Sequence, residues 1–275
     1  MKNKKFIWDS IKYLLLGIAA LSFIYPFIWM LAASLTPSHE ISDITILPRH
    51  PGFKNIILLL KTIPIGRSLL NSSFVAFCTT LLVLVTGSTV GYALARMRFL
   101  GRSIVFYIII FTMSLPFQVT LIPNYITIVH LRLVDSFLAL IIPFSVSAFA
   151  ILLFRQAFQG LPQALIDAAK MDGCNEWTII FRILWPNIKP TIITIAIISF
   201  IGSWNEVLWP LLTIREEKLM TMPQLVTLFV VGGRADSQLG VKITAAVFLA
   251  LPVLIAFIFL QKQFIQSMAS AGLKD

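Results

Sequence analysis

The side chains with the most chemical potential in this sequence are few and far apart. One acid, Glu206, stands in the otherwise uncharged stretch from Pro190 to Leu212, next to Asn205 and between Trp204 and Trp209. A carboxylate turned toward lipid is costly, so Glu206 should face a partner, water or a polar path. Its role stays open between contact with a passing solute, a hydrogen bond to another subunit and shelter at the outer interface. The histidines His39, His50 and His130 and the cysteines Cys78 and Cys174 make neither a C-x-x-C pair nor a His/Asp/Glu ligand cluster. Neither a metal centre nor a disulfide is expected. No G-x-x-x-x-G-K-[ST] phosphate loop is present, so ATP chemistry would have to be done by another chain.

The second chemical feature is a polar segment, Gln159 to Pro190, set between two strongly apolar stretches. Its signals predict two short helices at an angle. Pro162 fits a first helical turn, Gly173 interrupts the run, and Trp185-Pro186 marks a second boundary. Leu165, Ala168 and Ala169 are expected on one helical face, with Met171 at its edge and Asp167, Lys170 and Asp172 as polar margins. Past Gly173, Asn175 can cap a second helix, in which Trp177, Ile180, Phe181 and Leu184 follow the i, i+3, i+4, i+7 pattern. One helix can then face a partner while the other packs beneath a membrane bundle. The alternative is an amphipathic hairpin lying in the interface.

The elements that must position these residues belong in a bilayer. The chain of 275 residues is 58% hydrophobic and 12% charged, with a mean hydropathy of +0.89, far from a soluble domain. Uncharged intervals run from Tyr13 to Ser38, Ser68 to Ala95, Ser103 to Val129 and Ser136 to Phe154; Pro190 to Leu212 and Ile243 to Gln261 make six. Each approaches the roughly 20 helical residues that cross a hydrocarbon core. The runs are continuously apolar and do not alternate, which favours helices over a barrel. The first interval extends too far and lacks the cleavage pattern of a removed signal sequence.

Arg96, Arg98 and Arg102 crowd one short turn, whereas the turn after the third span has only Arg132, which places both termini and the 155–189 connection in the cytoplasm. The organisation expected is a cytoplasmic segment 1–12, a six-span domain 13–262 and a cytoplasmic tail 263–275. The formal charge of +10 is spread around membrane boundaries, which fits lipid headgroups and not nucleic acid. Pro116 and Pro123 interrupt the third span near Gln118, either as a gate or as ordinary packing, and Gly87 and Gly91 form a small-residue spacing suited to close helix contact. Gln118, Asn205 and Glu206 are the polar candidates for a translocation path.

At these residues the chain resembles the permease subunits of binding-protein-dependent ATP-binding cassette importers, in particular the MalG-like branch for sugars. The family's cytoplasmic EAA motif is matched by Asp167-Ala168-Ala169, Gly173 and Ile183-Leu184-Trp185-Pro186, with Asp167 in place of Glu and Trp185 before the proline. SWNEVLWPLL from Ser203, MTMPQLVTLFV followed by Gly232-Gly233, and the closing LQKQFIQSMASAGLKD resemble further family segments. Ser267, Ala271 and Asp275 depart from the commoner ending.

The resemblance implies an all-α integral membrane protein, a six-helix importer permease with a cytoplasmic coupling helix, that is itself no enzyme. Leu165, Asp167, Ala168, Ala169, Asp172 and Gly173 would meet an ATPase. The partners implied are a pair of ATPase subunits carrying ATP and Mg, a second permease and an external solute-binding protein, in a bacterial or archaeal cytoplasmic membrane. This chain would bind no cofactor. The solute implied is a carbohydrate, with glycerol phosphate as the family alternative. From other classes, a membrane scaffold that recruits a cytoplasmic partner is the runner-up, and an intramembrane enzyme comes third for want of a nucleophile-base constellation.

Overall fold

The computed structural model describes residues 2–38, 40–41, 48, 50–231 and 238–272, with side chains between 8 and 255 and at 258. Among the described residues every regular element is a helix. In order these are α1 (Lys2–Ser34), α2 (Lys54–Thr62), α3 (Ile65–Arg96), α4 (Arg102–Thr112), α5 (Phe117–His130) and α6 (Phe137–Ile141), which runs into a 3-10 turn, Ile142–Phe144. Then come α7 (Ala148–Gln159), α8 (Gln163–Met171), α9 (Glu176–Thr178), a π-helical turn Ile179–Leu184, and α10 (Trp185–Asn187). The chain continues with α11 (Lys189–Trp204), α12 (Leu208–Thr213), a 3-10 turn Glu217–Leu219, α13 (Met222–Val231) and α14 (Leu239–Gly272). His39, Gly232, Gly233 and Asp275, and the side chains of the closing segment, lie outside the described residues.

The stretches Trp8–Ser34 and Ile65–Arg96 are each long and apolar enough to cross a bilayer unbroken. The next three intervals are not single straight helices, which corrects the expectation of simple spans. The third is α4 and α5 bent by 102°. Proline disfavours helical backbone in the residue before it, so the chain turns through Met113 to Leu115 and α5 restarts after an extended Pro116 (φ −61°, ψ 140°). Pro123, by contrast, sits inside α5 without breaking it.

The fourth interval bends by 46° between the 3-10 turn that holds Pro143 and α7. There Ser147 Oγ accepts the Ala150 N–H at 3.2 Å and starts α7 as its cap. In the fifth, α11 follows a 95° bend at Ile188 and stops at Trp204, and α12 resumes at Leu208. Pro210 supplies the reason: its ring would meet the Glu206 carbonyl if the helix ran on through 205–207. The sixth interval falls within α14. The segment 1–12 is not separate in structure, because α1 begins at Lys2.

The chain forms two compact units, Met1–Ile65 with Val226–Leu254, and Gly66–Leu225 with Ile255–Asp275. In the first, the Asn55 amide donates to the Ser34 and Thr36 carbonyls at 3.0 and 2.8 Å, satisfying acceptors that the end of α1 leaves open. A Cβ at Gly240 would stand 2.9 Å from Asn55 Cγ, so glycine is what lets α14 approach this buried amide.

In the second unit, α3 and α7 meet through Gly87 and Gly91, as their spacing suggests. A Cβ at Gly91 would lie 2.7 Å from Phe154 Cβ and 3.0 Å from the Arg155 backbone nitrogen. Backbone cannot step aside as a flexible side chain can. Gly91→Ala is therefore expected to destabilise the subunit by about 1–3 kcal/mol through overpacking. Thermal unfolding in detergent reads this directly, and an unchanged midpoint would show that the two helices can separate at no cost.

Candidate functional site

The polar segment folds as two short helical pieces joined at Gly173. Pro162 stands one residue before the predicted place, as the extended cap of α8. Gly173 takes a left-handed φ of +75°, and the Gly173 and Cys174 N–H groups donate to the Lys170 and Ala169 carbonyls, both at 3.0 Å, closing α8 in the way glycine permits. Asn175 Oδ1 accepts the Thr178 N–H at 2.8 Å and caps the second piece, as expected. The second boundary comes at Ile188, two residues beyond Pro186.

The faces differ from the sequence reading. Ile166 and Ala169 are buried and Leu165 is half-buried, whereas Ala164, Asp167, Ala168 and Met171 are exposed. Ala168 therefore does not share a face with Leu165 and Ala169. It lies on an outward stripe spaced i, i+3, i+4, i+7, whose apolar end is Met171 at 88% exposure. Asp172 and Gly173 are exposed at the stripe's end. Of the six predicted coupling residues, Asp167, Ala168, Asp172 and Gly173 are exposed, Leu165 is half-buried, and Ala169, 4% exposed, packs into the apolar cluster. Met171 and Ala164 were missed as members of the presented face, although their spacing with Asp167 and Ala168 was available.

The second piece does not keep one helical period either. The π turn over Ile179–Leu184 inserts an extra residue, so Ile179, Ile180, Leu184 and Ile188 are buried while Trp177 is exposed. Trp177, Phe181 and Trp185 instead form an aromatic ladder, with ring centroids 5.7 and 4.8 Å apart.

Two polar anchors tie the segment to the foot of α3. Arg96 donates through Nε and Nη2 to the Phe158 carbonyl at 3.1 and 2.6 Å, through Nη2 to the Leu161 carbonyl, and through Nη1 to Gln163 Oε1 at 2.9 Å. Gln163 in turn donates to Asp167 Oδ1 at 2.9 Å, which fixes the carboxylate on the outward stripe. Glu176 accepts the Tyr92 hydroxyl at 2.5 Å and pairs with Lys170 Nζ at 3.1 Å. The Tyr92 hydrogen bond first, and then Lys170, hold the Glu176 carboxyl below its ordinary value against the opposing effect of burial. Beneath these anchors one apolar cluster joins Ile166 and Ala169 of α8 to Phe154 and Phe158 of α7, Tyr92 of α3 and Ile195 of α11.

Higher in the same unit, a cavity of about 480 Å³ opens between α3, the α6–α7 bend, α11 and α12. Glu206 lines it, with Thr79, Ser147, Ser199, Ser203 and Trp209 among its neighbours. Glu206 Oε1 also accepts the Trp209 N–H at 3.0 Å, so the carboxylate steadies the first turn of α12. Trp209 is fully buried and donates its indole N–H to the Ala139 carbonyl at 2.8 Å.

Asn205 and Gln118 are exposed and do not line this cavity; the structure does not gather the three path candidates. Thr221, another wall residue, follows a loop pinned by its neighbours. Asn71 donates to the Lys218 and Met220 carbonyls at 3.0 Å each, and Ser72 Oγ accepts the Met222 N–H at 2.7 Å. Asp135 Oδ1 accepts the Arg215 and Glu216 N–H groups at 2.5 and 3.0 Å, which holds its carboxyl below the usual range.

Comparison with known proteins agrees with this architecture. Residues 87–270 match the family described as binding-protein-dependent transport system inner membrane component. The arabinooligosaccharides transport system permease protein of Bacillus subtilis (strain 168) is 36% identical over 264 residues, covering 93% of this chain and 92% of that protein. The lactose transport system permease protein of Rhizobium radiobacter is 30% identical over 260 residues, covering 94% of each. A chain in the crystal structure of a bacterial ABC transporter that imports the acidic polysaccharide alginate superposes with a TM-score of 0.80 at 26% identity, covering 93% of this chain and 96% of that one. Helices bent at breaks along their apolar runs, together with these likenesses over nearly the whole length, establish that the chain belongs to the inner-membrane permease family of binding-protein-dependent transport systems.

Proposed function

We propose that this chain is the membrane-spanning permease subunit of an ATP-driven importer of carbohydrate, and that α8 is its joint to an ATPase. The observation that carries the joint is the exposed stripe Ala164, Asp167, Ala168, Met171 on a helix whose opposite face is locked into the core. A stripe of two alanines and a fixed carboxylate, ending in an exposed methionine, suits a confined protein cleft. Movement of α8 would pass through Ile166 and Ala169 to α7 and α3, and through the π turn to α11, whose far end borders the cavity. ATP and Mg belong to a pair of ATPase subunits, and the path is completed by a second permease and fed by an external binding protein. Both termini and the 155–189 segment then lie in the cytoplasm, with Arg96, Arg98 and Arg102 on the same side.

The carbohydrate assignment rests on the transport systems of the relatives, named for arabinooligosaccharides and lactose. The test is reconstitution of the chain with its own ATPase, second permease and binding protein in proteoliposomes. ATP-dependent accumulation of labelled arabinotriose or lactose is expected. Accumulation of glycerol phosphate to the exclusion of sugars would replace the substrate, and no ATP-dependent uptake of any solute would favour a scaffold.

A further inference from the structure

The cavity of α3, α6, α7, α11 and α12 carries more chemistry than a bare passage requires. Building on the importer reading above, we infer that it is a solute-binding site for one or two neutral, polyhydroxylated sugar residues, and that Glu206 makes it unfavourable to anionic ones.

Its position is the first support. Two helix breaks open on it, at Val146 and Ser147 before α7 and at Glu206 before α12. Non-helical backbone at membrane depth is tolerated where it lines a cavity, and ligand sites in transporters form at such breaks. The volume, about 480 Å³, falls in the range of small-ligand sites.

The wall chemistry is the second. Thr79 and Thr221 line the cavity at 3% and 5% exposure, and among the described residues their hydroxyls have no hydrogen-bond partner. Thr86, Thr89 and Thr213 in these helices return their hydroxyls to the carbonyl four residues back, whereas Ser68 and Thr80 of α3, which do not line the cavity, are buried and unpaired as well. Buried hydroxyls in native proteins are ordinarily paired, and Thr79 and Thr221 are the unpaired ones that, among the described residues, border a space large enough for a partner to arrive. Phe144 and Trp209, edge to face with centroids 6.2 Å apart, give the same wall an apolar aromatic surface. Hydroxyl groups around the rim of a sugar ring and C–H groups on its faces match this division.

Charge is the third. Among the described residues Glu206 is the only ionisable side chain lining the cavity, and no Lys, Arg or His of theirs stands there to offset it. Its carboxylate has acceptor capacity beyond the Oε1 bond to Trp209, which suits a sugar hydroxyl. A uronate or phosphate would meet an uncompensated like charge in a low-dielectric setting, where repulsion is strong.

The experiment uses the assembled transporter without its binding protein, so that selectivity in the membrane is read alone. Galactobiose and digalacturonate, which share a skeleton and differ in charge, are titrated against it by calorimetry. Galactobiose is expected to bind at least about tenfold more tightly than digalacturonate. Glu206→Gln, which keeps an acceptor for the Trp209 N–H, should narrow that preference to under about threefold, and Thr79→Val should weaken galactobiose binding several-fold. Equal binding of the two sugars, binding of neither, or a preference untouched by Glu206→Gln would overturn the site. If the complete transporter still takes up sugar in that event, the importer reading stands and only this site falls. Absence of ATP-dependent sugar uptake by the complete transporter would remove both.

Discussion

Tryptophan in place of Ala168 is expected to leave the subunit inserted and folded while cutting solute-stimulated ATP turnover and uptake by roughly 100-fold, the effect of losing about 3 kcal/mol at an interface hot spot. The separation of folding from coupling follows from burial. Ala168 is exposed on α8, so among the described residues added bulk there faces outward and not into the packed core. Ala169, one residue on, packs in the core beside Ile166 and Phe158. The same substitution there should overpack the bundle and reduce the folded protein itself.

Asp167→Lys should resemble Ala168→Trp, because it reverses a carboxylate that Gln163 holds in place without disturbing a buried contact. The measurements are ATPase co-purification and turnover in vesicles, set against the amount of inserted subunit. Normal association and turnover with Ala168→Trp would reject α8 as the joint. Loss of insertion equal to that of Ala169→Trp would make the outward stripe a structural feature only.

The contrast between Ala168 and Ala169 also shows how far the sequence could be read. Helices, caps and the glycine turn were legible because their signals are local. Asn175 finds its acceptor role three residues away, and Gly173 needs only its own backbone freedom. The identity of the buried face was not legible, because Leu165, Ala168 and Ala169 fall within one apolar arc and only the packed partner decides which edge turns inward. The π turn hid the second face for a related reason. One extra residue per turn shifts the stripe from Trp177 to Ile179, and nothing in IIFRIL announces it.

In the third and fourth intervals the prolines are visible, but hydropathy sums over a bend as readily as over a straight helix, so stretches bent by 102° and 46° read as single apolar runs. Glu206 was picked out by its charge alone. Its cavity was not, since Thr79, Ser147 and Thr221 come from three distant segments with nothing in common but the space they enclose.

Arg96 is the case where the sequence pointed to a residue for one reason and the structure adds another, and its removal should have the second large effect. The arginine enters the topology argument as one positive charge among several. In the structure its planar guanidinium reaches two main-chain carbonyls and a side-chain amide oxygen that lie 62 to 67 residues away. Those carbonyls end α7 and lead into α8, where the helical ladder stops; Phe158 O accepts the Leu161 N–H at 3.3 Å, and Arg96 supplies the further donors.

Arg96→Met keeps the apolar stem and removes all of these bonds. Hydrogen bonds to a charged group contribute about 1.5–3 kcal/mol each, and partial exposure of Arg96 reduces the sum, so a loss of about 3 kcal/mol in local stability is expected. Hydrogen exchange across 159–175 should then quicken by about 100-fold while exchange in the middle of α3 is unchanged, because opening a peripheral segment need not open the bundle. Uptake should fall with it, since a joint that opens locally transmits less displacement. Arg96→Lys should recover only part of the protection, as one ammonium cannot span three acceptors in a plane. Unchanged exchange in Arg96→Met would mean that the apolar contacts of Ile166 and Ala169 position α8 by themselves, and that Arg96 serves orientation in the membrane and nothing more.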